Sequence, residues 1–167
     1  MSEPDGITVR PAEEAELAEV GALTLAAYRA DGLIAEGNSY EAFLLDSTSR
    51  HRDAELLVAV DAENHVLGTV TMCAPGTPYA ELSGPGEWEF RMLAVSPAAR
   101  GRGVAGALVA AVLRRAVQAG AKRIVLSSMD RMRTAHRLYE RVGFRRAPEL
   151  DWQPGDGANL WGFVLDL

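Results

Sequence analysis

LAVSPAARGRGVAG, residues 93–106, passes from a short apolar stretch through turn-forming residues into three glycines within six positions, just ahead of a long alanine-rich apolar run. Glycine weakens a helix, so a chain that gathers it where a helix is about to start needs backbone that turns with positive φ or lies close to another molecule. In the first turn of a helix, backbone N–H groups lack an internal partner and share the positive end of the helix dipole. Such a site binds phosphate. Side chains larger than those of Gly101, Gly103 and Ala105 would obstruct a pyrophosphate lying on these groups, and Arg100 and Arg102 add charge.

Reading outward, Glu87 to Val95 form a strand, a helix runs from about Gly103 to Ala119 and stops at Gly120, and Arg123 to Ser127 form a buried strand. This is a βαβ unit, whose two strands are parallel. Upstream, Ile7 to Val9 alternate like a short strand, and Pro11 with the acidic turn Glu13, Glu14 and Glu16 opens a helix to about Tyr28. Ser39 is an N-cap for a second helix that carries Phe43 and Leu44 inward. Glu55 to Val60 and Val66 to Met72 pair as a hairpin across the turn DAENH, and APGTPYAELSGPGE, residues 74–87, is a long surface loop. Downstream, Met132, Ala135, Leu138, Tyr139 and Val142 share one helical face, and Gly143 caps the helix. Phe144 to Arg146 and LWGFVLDL at 160–167 close the chain as strands. The order predicts an α/β fold, an α+β mixed sheet with helices on its faces.

The 167 residues, 48% of them hydrophobic, suffice for one domain spanning residues 1–167. A net charge of -6 and a pI near 5.1 exclude a nucleic-acid footprint. Yet Arg100, Arg102, Arg114, Arg115, Lys122 and Arg123 cluster, which suggests a local site for an anionic ligand, although Arg114 and Arg115 read as a solvated helix face. Cys73 stands alone, so no internal disulfide forms, no Cys set holds zinc, and the residue reads as core filling. The acidic start MSEPDG lacks the pattern of a secretory leader and GALVAAVL is far short of a membrane span, so a cytoplasmic protein with no membrane association is expected.

Three phosphate-binding patterns compete for 93–106. Gly101, Gly103 and Gly106 formally satisfy GxGxxG, but SPAAR separates strand from glycines and Ile124, Val125 and Leu126 occupy the place where a dinucleotide fold needs an acid. No GK[ST] follows for a nucleotide phosphate loop. The third pattern fits: the chain resembles the GNAT superfamily of acetyl-CoA-dependent N-acetyltransferases. Arg100, Gly103 and Ala105 match its [RQ]-x-x-G-x-[GA] signature, and AHRLYERVGFRR at 135–146 matches its A-x-x-L-Y-x-x-x-G-F segment. Almost the whole chain follows the family's element order.

The resemblance implies a GNAT-like fold with a mostly antiparallel sheet and one parallel strand pair. It further implies that Leu93, Ala94 and Val95 pair by backbone with the pantetheine arm of acetyl-CoA, while Arg100, Gly101, Arg102, Gly103, Val104 and Ala105 cradle the pyrophosphate. Met132 stands where many members carry Asn, a departure from the family pattern at one side-chain contact to the cofactor arm. Acetyl transfer to an amine needs a base, because an alkyl ammonium of pKa roughly 10.4 is not nucleophilic, and an acid for the departing thiolate. Strand alternation places Glu87, Glu89, Arg91, Leu93 and Val95 on one face and Trp88, Phe90, Met92 and Ala94 on the other. In members with a strand-borne glutamate base, its position matches Glu89, with Glu87 second; both also read as ion-pair partners. The resemblance makes Tyr139 the proton donor, against the reading of a core aromatic. His136 and His51 read as surface residues, the latter in a loop. No group is placed to activate Cys73, so direct attack in a ternary complex is expected. Asp31, Glu36, Glu81, Glu87, Asp151 and Asp156 surround the expected acceptor side and suit a cationic amine, small-molecule or protein, although such acids also simply express the net charge. A non-catalytic acyl-CoA sensor remains the alternative, a dinucleotide-dependent oxidoreductase the less favoured one, and a homodimer is open.

Overall fold

The computed structural model describes residues 6–155 and 157–167. Its elements are β1 (Thr8–Pro11), α1 (Leu17–Ala30), α2 (Tyr40–Leu45), α3 (Ser47–Asp53), β2 (Glu55–Val60), β3 (Val66–Cys73), β4 (Glu87–Val95), α4 (Val104–Gln118), β5 (Arg123–Met129), α5 (Arg133–Val142), β6 (Arg145–Arg146) and β7 (Leu160–Asp166). The seven strands make one sheet in the order β1-β2-β3-β4-β5-β7-β6. The β4–β5 pair is parallel and the others antiparallel, as expected of the βαβ unit around α4.

Both faces of the sheet are covered, which is why β2 and β3 read as nearly unbroken apolar runs. Leu57 and Ala59 of β2 join the core against α4 and α5, while Leu56, Val58 and Val60 join Leu17, Val20, Leu23 and Ala27 of α1. Each large aliphatic side chain so buried contributes about 1.5–3 kcal/mol. The start of α4 sits very close to β3. A Cβ on Gly68 would lie 2.8 Å from Val104 Cγ1 and 2.9 Å from the Ala94 carbonyl oxygen, so only glycine admits the helix here.

Four local readings are corrected. Pro11 does not open a helix; it ends β1 opposite Leu57, on an edge strand where a missing N–H is tolerated, and a 3-10 turn at Glu14–Glu16 leads into α1. The segment holding His51 is not a loop but α3, started by Asp46, whose carboxylate accepts from the Ser49 N–H at 3.1 Å and the Ser49 hydroxyl at 2.6 Å. His136 is not a surface residue but 5% exposed. Alternation along β4 also breaks. Ala94 faces Thr69 but Arg91 faces Thr71, so Met92 and Leu93 together occupy the space opposite Val70, and Met92 takes φ 54°. This bulge reverses the faces. Leu93 and Val95 join Trp88 and Phe90 on the α4/α5 side, while Met92 packs with Leu25 and Leu44, and Ala94 with α1.

Candidate active site

β4 and β5 are joined only at Glu87↔Arg123, Trp88↔Ile124 and Glu89↔Val125. Beyond these pairs, where β4 bulges, the strands part. The gap opens into a cavity of about 260 Å³ lined by Phe90, Met92 and Leu93 from β4, Ser127 to Met129 from β5, and Met132 and Tyr139 around α5. Ala94 and Val95 pair with β3 on one side only, so the opposite edge of β4 offers peptide groups to an extended ligand.

The glycine-rich stretch lies at the same end of the sheet. Gly101 and Gly103 both take φ 79°, a left-handed turn that delivers the chain into α4 with Gly103 at the N-cap and no side chain capping the helix. Residues 100–103 are exposed, so the uncapped N–H groups of the first turn face an open surface suited to an anion. Arg102 is exposed beside them; Arg100 forms a two-contact ion pair with Asp31, at 2.5 and 3.1 Å, that ties the end of α1 to this turn. The wider basic cluster does not converge here. Arg123 pairs with Asp166 at 2.7 Å, Lys122 packs against Gly86, and Arg115 lies 3.8 Å from Glu55.

Tyr139 is 3% exposed, with its ring edge-on to Phe90 at 5.8 Å and Phe163 at 5.7 Å. It also lines the cavity, and burial pushes its phenol well above the usual range. Glu89 is 1% exposed and lines no described cavity. Its Oε1 accepts three successive backbone N–H groups, from Glu81 at 3.0 Å, Leu82 at 2.9 Å and Ser83 at 3.1 Å. Glu87 works on the same loop, accepting from the Gly84 N–H at 2.9 Å.

The loop so held presents Glu81 to the cavity and to a second, more open one of about 410 Å³ between Ser39, Phe43 and Arg91. Burial raises the Glu81 carboxyl above its usual range; Arg91, 2.7 Å away, opposes this and Glu89 reinforces it. Among the described residues Glu81 is the one acid of those expected at the acceptor side that lines either cavity. Asp31 is spent on Arg100, Glu87 on Gly84, and Asp151 on Arg146 and the Gly162 N–H. Glu36 is exposed, and Asp156 lies outside the described residues.

His136 is stacked on Trp161 at 5.4 Å, with its Nε2 3.1 Å from the Ser128 hydroxyl, which lines the cavity. Burial holds its imidazole below the ordinary value. Cys73 is fully buried, its thiol pushed up to about 12 by burial, and it lines neither cavity. Sequence reasoning missed Arg50, which is 0% exposed and donates to the Phe43 and Leu44 carbonyls at 2.9 and 3.0 Å, closing the end of α2. Nothing in SRHRD distinguishes it from a solvated basic run. Ser128 had one sign, its place in a serine pair directly after the buried apolar run IVL.

The sequence model described as Acetyltransferase (GNAT) family matches residues 20–144. No curated protein sequence matches. Among solved structures, a GCN5-related N-acetyltransferase from Kribbella flavida superposes with a TM-score of 0.72 at 25% identity, covering 99% of this chain and 100% of its own. PaiA N-acetyltransferase from Thermoplasma acidophilum, in complex with coenzyme A, gives 0.77 at 13% identity over 96% of this chain and 99% of its own. The yncA protein from Salmonella typhimurium, with its cofactor acetyl-CoA, gives 0.69 at 19% identity over 98% and 95%. The last two similarities concern the fold alone.

Proposed function

The chain belongs to the GNAT acetyltransferase family, and from that premise we propose that it moves the acetyl group of acetyl-CoA to a primary amine, as one domain, by direct attack in a ternary complex. One observation carries this reading: the uncapped, glycine-led start of α4 and the unpaired edge of β4 lie at one end of the sheet, beside a cavity containing a buried tyrosine. The pyrophosphate rests on the N–H groups of residues 100–105, with Arg102 adding charge and Arg100 exchanging Asp31 for phosphate. The pantetheine arm lies along Leu93, Ala94 and Val95, in the gap left by β5. Its thioester then reaches the Tyr139 end of the cavity.

Attack of the free amine on the thioester carbonyl forms the C–N bond, and the C–S bond breaks. Tyr139 gives its phenolic proton to the leaving thiolate; burial among aromatic rings disfavours the phenolate, which keeps the proton in place beforehand and favours its return from the attacking nitrogen. Met132, at the position where many members of the family carry asparagine, borders the gap with a thioether instead, and the Ser128 hydroxyl borders it as well.

The test is amine-dependent thiol release from acetyl-CoA across polyamines, amino acids, aminoglycosides and lysine peptides, with acetyl-CoA binding followed by calorimetry. Turnover with at least one amine is expected, and Tyr139→Phe lowers kcat by ~10- to 100-fold with acetyl-CoA affinity intact. Binding of acetyl-CoA without turnover would leave a sensor, and failure to bind it would refute the reading.

A further inference from the structure

We infer that Glu81 is the carboxylate that receives the acceptor's ammonium group and takes its proton, with Glu89 as the positioning residue that holds it in place. This rests on the transferase reading above. Glu81 occupies the junction of the two cavities, which share it with Asn38, Tyr40 and Arg91. An amine arriving through the open cavity passes the paired rings of Tyr40 and Phe43, whose centroids lie 5.2 Å apart, and meets this carboxylate before it reaches the gap between β4 and β5. The aromatic wall suits the apolar body of such an amine and the face of its cation.

Glu89 cannot do this work itself. Its carboxylate is fully buried outside both cavities, and one of its oxygens is committed to three consecutive N–H groups of the loop. Those bonds begin at the Glu81 N–H, so Glu89 fixes the backbone of the residue that faces the acceptor. Arg91 fixes the side chain. It contacts Glu81 Oε1 at 2.7 Å and donates to the Tyr79 carbonyl at 3.1 Å.

The protons balance as follows. The ammonium gives one proton to Glu81 and its freed lone pair attacks the carbonyl. Tyr139 protonates the thiolate; the second proton leaving nitrogen restores Tyr139, and Glu81 releases its own to solvent. The net products are the amide, CoA thiol and one solvent proton.

The charged and titratable groups facing Glu81 are Arg91, Glu89, Tyr40 and the buried Cys73. The experiment compares Glu81→Gln, Glu81→Asp and Glu89→Gln with the wild type in amine-dependent thiol release over a pH series, with acetyl-CoA affinity measured for each. Glu81→Gln should lower kcat/KM for the amine by ~10²-fold near neutral pH, a deficit that shrinks as the free amine itself becomes abundant. Glu81→Asp should restore part of it. Glu89→Gln should mainly raise the amine KM, by ~10-fold, and leave the form of the pH profile unchanged. If Glu81→Gln stays within twofold of wild type with the same pH profile, or if Glu89→Gln alone removes the acid limb, the inference is overturned while the transferase reading stands. If the wild type releases no thiol with any amine in the panel, the reading fails and this inference falls with it.

Discussion

The two sides of the cleft are built by different means. On the cofactor side, recognition is assigned to backbone: the free edge of β4 and the first turn of α4, where φ of 79° at Gly101 and Gly103 sets the chain's direction. On the acceptor side, irregular loops and two short helices are held by side chains reaching to backbone, as Glu89 holds 81–83 and Arg50 holds 43–44. Backbone recognition restricts residue type at fixed spacing. Side-chain scaffolding leaves the lining free to vary, which suits a fold that keeps one cosubstrate and changes its acceptor.

The largest effect that could break this contrast comes from Gly103→Val, matched with Gly120→Val. Gly103 and Gly120 sit at the two ends of α4 with φ of 79° and 77°, so a β-branched residue is strained at either. Both variants should lose about 1–2 kcal/mol of stability. Only Gly103→Val should weaken acetyl-CoA binding, by more than ~10²-fold, since only there does the side chain meet the proposed pyrophosphate. Calorimetric affinities alongside urea unfolding separate the two effects. Equal losses of affinity would mean that strain, not recognition, explains the glycines.

The same contrast explains what could be read in advance. The boundaries of β4 and β2 and the parallel pair around α4 follow from apolar runs and glycine stops, and the left-handed turn that leads into α4 from the glycines at 101 and 103, where the anion site is proposed. The acceptor side left no such trace. Glu89 meets its loop partners and Arg50 meets Phe43 and Leu44 through pairings set by the finished fold rather than by any period. The bulge in β4 was hidden because a methionine, not a glycine, takes the positive φ. His136 was misplaced because periodicity reports the main apolar face of α5 but not Trp161 of β7, which covers its flank.

A middle-sized effect sharpens the acceptor side. Arg50→Met keeps length and apolar stem but leaves the Phe43 and Leu44 carbonyls without their charged donor, which should cost ~3 kcal/mol of stability. Because α2 carries Tyr40 and Phe43 to the open cavity, the amine KM should rise several-fold while acetyl-CoA affinity holds. Equal weakening of both ligands would show that the two sides of the cleft are not separately supported.

The smallest effect lies where the two sides meet, at His136 behind Ser128. Its folded-state pKa is lowered, first by burial and further by Arg133 and Arg146; the Met129 carbonyl and Glu140 favour the charged form but do not prevail. A histidine held neutral in the fold binds its proton more readily when unfolded. Its stabilising contribution is therefore present above the ordinary value near 6.5 and is lost as pH falls through that value, by no more than ~1.4 kcal/mol per pH unit for one proton. Protonation would set a cation in the slot between Trp161 and Phe163, beside two arginines that already stack on Trp161. His136→Gln cannot take up that proton, yet it can still reach the Ser128 hydroxyl. Urea unfolding between about pH 5 and 7 should give a wild-type stability that declines toward acid more steeply than the variant's, the two curves converging on the acid side. Parallel curves would assign the acid sensitivity to other groups and leave His136 a packing residue, whereas convergence would tie the cofactor-side helix α5 and the cavity-lining strand β5 together through one neutral imidazole.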